Sequence, residues 1–266
     1  MKTIRNYTEA NRQAWNQVMP YHKHAMDEKW DEMFSDPNFI YQKTQELDEL
    51  DKIGIQGKRI AHLSCNNGIE LMSLKRLGAS RCIGFDISDN AVEEAKKRAA
   101  RFDIDCEFIR TDVLEIPEEY YGKFDLVYIT VGALVWIPDR KKYFEKAANL
   151  LADGGQLFIY EHHPFGNVFP YDDEFDGELK VIHKYFDKEI WEEFGGIDYY
   201  GGVSYKSSPS YEFPYTLVEL FNILAERGFC LQKFNEYPDD IALGKSYAET
   251  QEIKLPLSYI LIAKKL

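Results

Sequence analysis

The sequence predicts an α/β fold with a seven-stranded, doubly wound, mostly parallel sheet. Two observations support this prediction. Short apolar runs alternate with amphipathic helical stretches between residues 58 and 163, which is the pattern of consecutive βαβ units. Over residues 165–214 this rhythm stops, and glycines and aromatic residues replace the helical periods. We interpret residues 1–266 as one domain, in which residues 165–214 form an insertion after the fifth strand that covers the carboxyl edge of the sheet.

The composition disfavours some classes of function. The chain has 266 residues, of which 45% are hydrophobic and 15% aromatic, as expected of a packed globular protein. Its net charge is −13 and its pI is about 5.0. An acidic surface repels the phosphate backbone, so we expect no nucleic-acid partner. A small or cationic substrate fits this charge better.

The N-terminal residues contain no apolar signal-peptide core, and no apolar run approaches the roughly 20 residues that span a bilayer. A soluble, cytoplasmic protein with no membrane partner is therefore expected. The four cysteines, Cys65, Cys82, Cys106 and Cys230, form no CxxC pair, and the histidines show no metal-ligand spacing. These patterns predict reduced thiols and no metal site.

The first 52 residues predict helices that lie over one edge of the sheet, here called the N-terminal arm (residues 1–52). Thr8 is a suitable N-cap for a first helix, which Pro20 is expected to end or kink. Two further helices are predicted over residues 21–34 and 42–52.

The stretch 59–88, RIAHLSCNNGIELMSLKRLGASRCIGFDIS, predicts a strand, a tight polar turn, a helix and a second strand. Apolar positions over 69–77 recur at helical spacing, and Gly78 suits the end of that helix. Asp86 closes the second strand about 20 residues after the turn, where a carboxylate binds the ribose diol in nucleotide-binding βαβ units. The unit therefore predicts a nucleotide-like ligand at the turn.

The later elements are predicted from the same signals. They are a helix over 90–102 capped by Asp89, strands over 106–109, 124–131 and 157–160, a helix over 138–151, a helix over 216–228, and strands over 229–237 and 257–263. Alternating residues at 180–186 predict that the insertion is partly a β-hairpin.

Five motifs in this order resemble the class I S-adenosylmethionine-dependent methyltransferases, in the small-molecule type whose glycine-rich turn has the form HLxCxxG. The motifs are the turn at 62–68, Asp86, Thr111-Asp112-Val113, the strand region 124–138 and the segment 150–157. The resemblance covers residues 58–155 and, more loosely, the C-terminal elements. It implies S-adenosylmethionine as cofactor, S-adenosylhomocysteine as product, and methyl transfer as the activity.

The resemblance also implies roles for residues along the cofactor. Asp86 is expected to accept hydrogen bonds from both ribose hydroxyls, and Ile87 to pack on the adenine face. Asp112 is expected to accept from the adenine amino group, while the Val113 N–H donates to the ring. Thr130, at the end of the fourth strand, is expected near the methionine portion.

The turn departs from the family pattern. The family usually has an acid where His62 stands and glycines where Ser64 and Asn66 stand, and only Gly68 remains. All four residues are expected to contact the cofactor, with Gly68 allowing close approach of its amino-acid end. Asn tolerates positive φ well, so the turn is expected to form. The missing acid removes the family's usual anchor for the ammonium group of the cofactor.

Candidate catalytic residues lie where the fifth strand ends. His162 and His163 leave its carboxyl end, where open α/β sheets bind ligands, and either is a candidate general base. The alternative is that one of them caps the turn at Pro164. Trp15 and Tyr21 are expected to face the sulfonium through cation–π attraction, or otherwise to pack as ordinary aromatics.

The expected function is methyl transfer to a small-molecule acceptor, whose acceptor atom (O, N, S or C) is left open. The pocket is expected to be closed by the N-terminal arm and the insertion. One alternative is a protein that binds S-adenosylmethionine or S-adenosylhomocysteine without turnover, and a weaker one is a protein or RNA methyltransferase. Nicotinamide binding is disfavoured because the GxGxxG glycines are absent.

Overall fold

A computed structural model describes residues 2–186 and 188–266. The helices are α1 Ile4–Ser35, α2 Thr44–Ile53, α3 Ile69–Arg76, α4 Asp89–Arg101, α5 Arg140–Leu150, α6 Leu217–Glu226 and α7 Ser246–Thr250. The strands are β1 Arg59–Leu63, β2 Arg81–Asp86, β3 Glu107–Arg110, β4 Phe124–Thr130, β5 Leu151–His162, β6 Trp191–Glu193, β7 Ser210–Glu212, β8 Phe229–Tyr237 and β9 Ser258–Lys265.

The predicted seven-stranded, mostly parallel sheet is confirmed. Its strand order is β3-β2-β1-β4-β5-β9-β8. Strands β1 to β5 pair in parallel, and β9 runs antiparallel between β5 and β8. Because the first five strands are parallel, their carboxyl ends meet at one edge of the sheet, and the turn at 64–68 lies at this edge.

Helices cover both faces of the sheet, which explains the continuous apolar character of the strands. One buried cluster joins the sheet to α2, α3, α4 and the end of α1, and the other joins it to α5 and α6. Within the predicted insertion, β6 and β7 pair antiparallel. Residues 180–186, where the alternation predicted strand, are not in a strand.

The N-terminal arm differs from its prediction in that Pro20 does not end the first helix, and α1 includes residues on both sides of it. Pro20 lacks the N–H that would bond to the Asn16 carbonyl, and the Asn90 side-chain amide of α4 donates to that carbonyl instead at 2.8 Å. Because the Asn16 carbonyl is hydrogen-bonded to Asn90, the helix can continue through Pro20 without leaving that carbonyl unpaired. The predicted cap was also wrong: Thr3 caps α1 through a capping box with Asn6, and Thr8 is buried.

Side chains of α1 attach it to α4 and to β7. The buried Arg98 guanidinium of α4 pairs with Asp27 at 2.7 Å. Nearer the start of α1, the Asn11 side chain exchanges hydrogen bonds with the Tyr211 backbone at 2.9 and 2.7 Å. At the start of α4, Ser88 is the N-cap and replaces the predicted Asp89, because its hydroxyl accepts from the Ala91 N–H.

The cysteines form no disulfide within the described part of the chain; Cys65 and Cys82 are buried, Cys106 is partly buried and Cys230 is exposed. Among the described residues, no helix combines the length and the apolar character that crossing a bilayer requires.

Candidate active site

A cavity of about 750 Å³ lies at the carboxyl ends of β1, β2, β4 and β5. Trp15 of α1 and residues 196–200 of the insertion form part of its wall. Eleven of the predicted site residues line it: Trp15, His62, Ser64, Asn66, Asp86, Ile87, Asp112, Val113, Thr130, His162 and His163. The sheet edge thus brings together residues that are up to 148 positions apart, since Trp15 and His163 face the same cavity.

The turn after β1 forms with glycine-like backbone angles. Ser64 has a φ of 56° and Asn66 a φ of 48°, at the two positions where the family usually has glycine. The left-handed region costs a non-glycine residue of order 1 kcal/mol, and Asn is among the residues that adopt it most readily. The Asn66 N–H points at Asp86 and donates to Oδ2 at 2.7 Å.

Asp86 is tied to the turn and to the start of α4. Its other oxygen, Oδ1, accepts from the Ser88 N–H at 2.8 Å. Burial raises the pKa of Asp86, and the backbone N–H groups of Ser88 and Asn66 oppose that shift. These hydrogen bonds hold the carboxylate in one orientation, with its remaining acceptor positions available to a ligand in the cavity.

Gly68 does not line the cavity in this structure. Its φ is 74°, and a Cβ built there would lie 2.3 Å from a Phe108 ring carbon and 3.2 Å from the Ala95 Cβ. The glycine therefore permits close packing of the turn on β3 and α4. This packing is a structural reason for glycine at position 68, and the close approach to the ligand stays a prediction.

Asp112 and Val113 lie in the cavity after β3. The Asp112 Oδ1 accepts from the Leu114 N–H at 2.9 Å and so caps the short 3-10 turn Val113–Glu115. Asp112 and Val113 line the cavity that Asp86 and Ile87 also line, which brings the ends of β2 and β3 to one site.

His62 and Thr130 connect β1 and β4 at the floor of the cavity. His62 Nε2 lies 3.0 Å from the Thr130 hydroxyl, while its Nδ1 is buried and has no partner within the described residues. Burial lowers the pKa of His62 to about 3, so the ring is neutral at pH 7. His62 therefore supplies no negative charge where the family usually has an acid.

Of the two aromatic candidates in α1, Trp15 lines the cavity and Tyr21 does not. Trp15 lines the cavity and packs edge-on against Trp136 with ring centroids 5.3 Å apart. Tyr21 lies outside the cavity lining, is exposed, and stacks on Tyr205 at 4.4 Å. The geometry gives Tyr21 a surface packing contact with Tyr205 of the insertion.

His162 has a buried carboxylate partner. Its Nδ1 lies 3.0 Å from Oε1 of Glu161, a side chain with no exposed surface. Glu161 also accepts from the backbone N–H groups of Gly132 and Leu134, which fixes its position. Burial disfavours a charge on His162, but the Glu161 carboxylate outweighs it and raises the pKa of His162 above 6.5.

His163 has mainly structural contacts. Its Nδ1 accepts from the Phe165 N–H at 3.1 Å and caps the 3-10 turn Pro164–Val168, and its Nε2 lies 3.0 Å from Glu236. Burial lowers the pKa of His163. This is the arrangement in which one histidine of the pair caps the Pro164 turn.

Sequence reasoning did not find two carboxyl groups, Glu46 of α2 and Glu70 of α3, that also line the cavity. Burial raises the pKa of Glu46 to about 8 and that of Glu70 to about 7. The sequence of α2 contains one indication that Glu46 is buried. Glu46, Glu49 and Leu50 are three and four residues apart, so they share one face of the helix, and this is its buried face.

Comparisons with known proteins agree with this fold. Residues 60–155 match the family model of a methyltransferase domain. A ubiquinone biosynthesis O-methyltransferase of Escherichia coli is 29% identical over 106 residues, which are 40% of this chain and 43% of the relative. A protein of the same name from Shewanella pealeana is 26% identical over 106 residues, covering 40% and 44% of the two chains. The chain thus spans less than half the length of the curated relatives it matches.

Solved structures extend the likeness to most of the chain. A methyltransferase from Mesorhizobium loti that depends on S-adenosylmethionine has a TM-score of 0.61 at 23% identity, covering 83% of this chain and 97% of that one. One from Methanosarcina mazei has a TM-score of 0.57 at 17% identity, covering 79% and 93%. Magnesium protoporphyrin IX methyltransferase from Synechocystis, solved with bound S-adenosylmethionine, has a TM-score of 0.51 at 16% identity, covering 95% and 97%.

These likenesses support S-adenosylmethionine as the cofactor. Residues 60–155 are therefore similar to a methyltransferase domain, and the described chain has the fold of the S-adenosylmethionine-dependent methyltransferases.

Proposed function

We propose that this protein transfers a methyl group from S-adenosylmethionine to a small molecule whose nucleophilic atom arrives protonated. The observation that carries this proposal is the hydrogen bond between Glu161 and His162 at the cavity end of β5. A general base is needed when the nucleophile must lose a proton, and a histidine held by a buried carboxylate suits that task. A hydroxyl acceptor meets this requirement, and the curated relatives carry the name O-methyltransferase.

The cavity residues fit the proposed cofactor. Asn66 Oδ1 and His62 Nδ1 are buried with no partner in the described chain, so they have hydrogen-bonding capacity to spare for a ligand. The Asp86 carboxylate would accept from the ribose hydroxyls, and Asp112 and the Val113 N–H would bind the adenine. Ile87, Ser64, Thr130 and Trp15 would complete the contact surface. S-Adenosylmethionine, when bound, supplies a methyl group on a positively charged sulfur.

His162 would remove the proton from the acceptor. The Glu161 carboxylate receives the Nδ1–H of His162, which leaves Nε2 as the nitrogen that can accept a proton in the cavity. Glu161 also stabilises the imidazolium that results, because a negative charge at 3.0 Å favours the charged ring.

The aromatic walls would position the acceptor. Trp15, Trp136, Tyr199 and Tyr200 line the cavity beside the polar sheet edge. Methyl transfer is an in-line displacement, so orientation of the acceptor and exclusion of water contribute much of the rate. The N-terminal arm supplies Trp15, the segment after β4 supplies Trp136, and the insertion supplies Tyr199 and Tyr200.

Two measurements test the proposal. Calorimetry with S-adenosylmethionine, S-adenosylhomocysteine and NAD should show binding of the two adenosyl ligands and none of NAD. A panel of hydroxylated, thiol and amine acceptors with methyl-labelled cofactor should then show turnover. Absence of binding to both adenosyl ligands would refute the cofactor assignment. Binding without turnover on any acceptor would favour a sensor protein.

A further inference from the structure

A second polar region of the cavity contains the carboxyl groups of Glu46 and Glu70. Glu46 is 3% exposed, and its carboxyl accepts from the Tyr128 hydroxyl. Glu70 receives its own backbone N–H and no side-chain donor. Burial raises the pKa of Glu46, and the charge of Lys43 opposes this only in part, whereas no basic side chain of the described residues compensates Glu70. Burying a carboxylate is costly unless a positive group compensates it.

The two carboxyl groups lie close enough to affect each other and the turn. The charge of Glu70 raises the pKa of Glu46 and, in the turn, the pKa of Cys65. It also raises the pKa of Tyr41 and Tyr200 on the far wall. Glu70 lines the same cavity as Cys65 of the turn and the aromatic residues Tyr41 and Tyr200.

Unpartnered polar atoms in the same cavity point independently to a ligand. Trp30 is 5% exposed and lines the cavity, and its indole Nε1–H has no acceptor among the described residues. His62 is 1% exposed and lines the cavity with Nδ1 unpartnered. Buried polar groups in native proteins are nearly always paired, so these atoms require partners that the described residues do not supply.

We propose that Glu70, assisted by Glu46, binds the α-ammonium group of the methionine part of S-adenosylmethionine, in place of the acid missing at position 62. Trp30 then donates to the adjoining α-carboxylate. This inference rests on the proposed function. The ligand carries its α-ammonium and α-carboxylate on one carbon atom. The two carboxyl groups would bind the ammonium, and the unpaired N–H donor would bind the carboxylate.

The surroundings favour an organic ammonium over a metal ion. No group of three or more metal-ligating side chains occurs in the described part of the chain. The neighbouring wall is aromatic, with the rings of Trp30 and Tyr41 5.5 Å apart and those of Tyr199 and Tyr200 4.5 Å apart. Aromatic faces attract an ammonium group and shield it from water.

The test compares ligands that differ at the ammonium. The probes are S-adenosylhomocysteine, its analogue with hydroxyl in place of the α-ammonium, and 5′-methylthioadenosine, which lacks the amino-acid part. Calorimetry on the wild-type protein should show a preference of about tenfold or more for S-adenosylhomocysteine over the hydroxyl analogue, as a charged hydrogen bond predicts. Glu70→Gln should remove most of that preference and leave 5′-methylthioadenosine affinity within about twofold.

Control variants distinguish the loss of the Glu70 charge from a general loss of folding. Glu70→Asp should keep part of the preference, and Glu226→Gln, a change at an exposed carboxyl, should keep all of it. An unchanged preference in Glu70→Gln, or equal loss of all three ligands in a variant that melts like wild type, would overturn the inference. If wild type binds none of the three ligands, the cofactor assignment itself fails, which is a distinguishable result.

Discussion

Nδ1 of His162 lies 3.0 Å from Oε1 of Glu161, and Glu161 is fully buried beneath the cavity. The carboxylate is held in turn by the backbone N–H groups of Gly132 and Leu134, in the segment that follows β4. The ends of two adjacent strands therefore fix the orientation of one imidazole. This arrangement gives the catalytic proposal its most direct tests.

His162→Gln should lower kcat by about 10²- to 10⁴-fold, the contribution typical of a general base. The affinity for S-adenosylhomocysteine should stay within about twofold, because the cofactor contacts are proposed at β1 to β4. Steady-state kinetics and calorimetry measure the two effects. His24→Gln, on the exposed side of α1, is the control. Full activity in His162→Gln would exclude His162 as the base.

The pH profile should report the titration of His162. Because Glu161 raises the pKa of His162, the neutral ring that can accept a proton predominates only at pH values above 6.5. The rate should therefore fall as the pH falls through that raised pKa. Glu161→Gln removes the negative charge and should move the acidic limb of kcat/KM to lower pH, besides lowering the rate. An acidic limb at the same pH in both proteins would contradict the role given to Glu161.

Asp86→Asn should weaken binding of S-adenosylhomocysteine by about 1.5–3 kcal/mol, the range for hydrogen bonds to charged groups. The amide retains the shape of the side chain but accepts fewer hydrogen bonds and carries no charge. Titration calorimetry measures the change. Asp105→Asn, at a side chain 94% exposed, should leave the affinity unchanged. Equal affinities for Asp86→Asn and wild type would place the ribose elsewhere.

Gly68→Ala should lower the free energy of unfolding by about 2 kcal/mol or more. The new Cβ would meet Phe108 at 2.3 Å, in addition to the strain of a φ of 74°. Gly122 has a similar φ of 68°, and a Cβ there would have no atom within 4 Å, so Gly122→Ala isolates the backbone strain. Urea denaturation of both variants gives the comparison. Equal destabilisation would mean that Phe108 moves aside without cost.

Binding of S-adenosylhomocysteine should strengthen as pH rises from 6 to 8. In the free protein, burial raises the pKa of Glu70 to about 7 and that of Glu46 to about 8, so both are partly protonated in this interval. The ammonium favours their charged forms, and the affinity therefore grows as the protons leave. Other titratable groups around the pair are Lys43, Tyr41, Tyr128, Tyr199 and Tyr200.

Calorimetry at several pH values, with buffers of different ionisation enthalpy, would show proton release on binding. Glu70→Gln should flatten the dependence. A wild-type affinity that falls over this interval would contradict an ammonium site at Glu70.

The sheet was predictable because its signals are local. Apolar strands, capped helices and the turn between β1 and α3 each follow from a few neighbouring residues. The β8 prediction, residues 229–237, coincides with the observed Phe229–Tyr237. The continuity of α1 was not predictable, because it depends on a hydrogen bond from Asn90, which is 74 residues from Asn16. Contacts of this kind appear only once α4 has packed on α1.

The candidate site also contains residues that could be predicted from the sequence and residues that could not. Asp86 and Asp112 follow strands in a known order, so their common location could be predicted. Glu46 and Glu70 come from two helices and enter the cavity through packing. A glutamate on a helix is most often a solvated residue, and the spacing of Glu46 with Glu49 and Leu50 does not by itself outweigh that expectation.

The backbone of the turn after β1 has one further consequence. A glycine turn presents main-chain atoms alone, whereas Ser64 and Asn66 adopt the same left-handed angles, with φ values of 56° and 48°, and add side-chain groups to the cavity wall. Ser64→Gly or Asn66→Gly would keep the backbone path, which glycine adopts with less strain, and remove one polar group. Ligand affinity at this turn can therefore evolve by single substitutions that leave the fold intact, which a turn made of glycines does not allow.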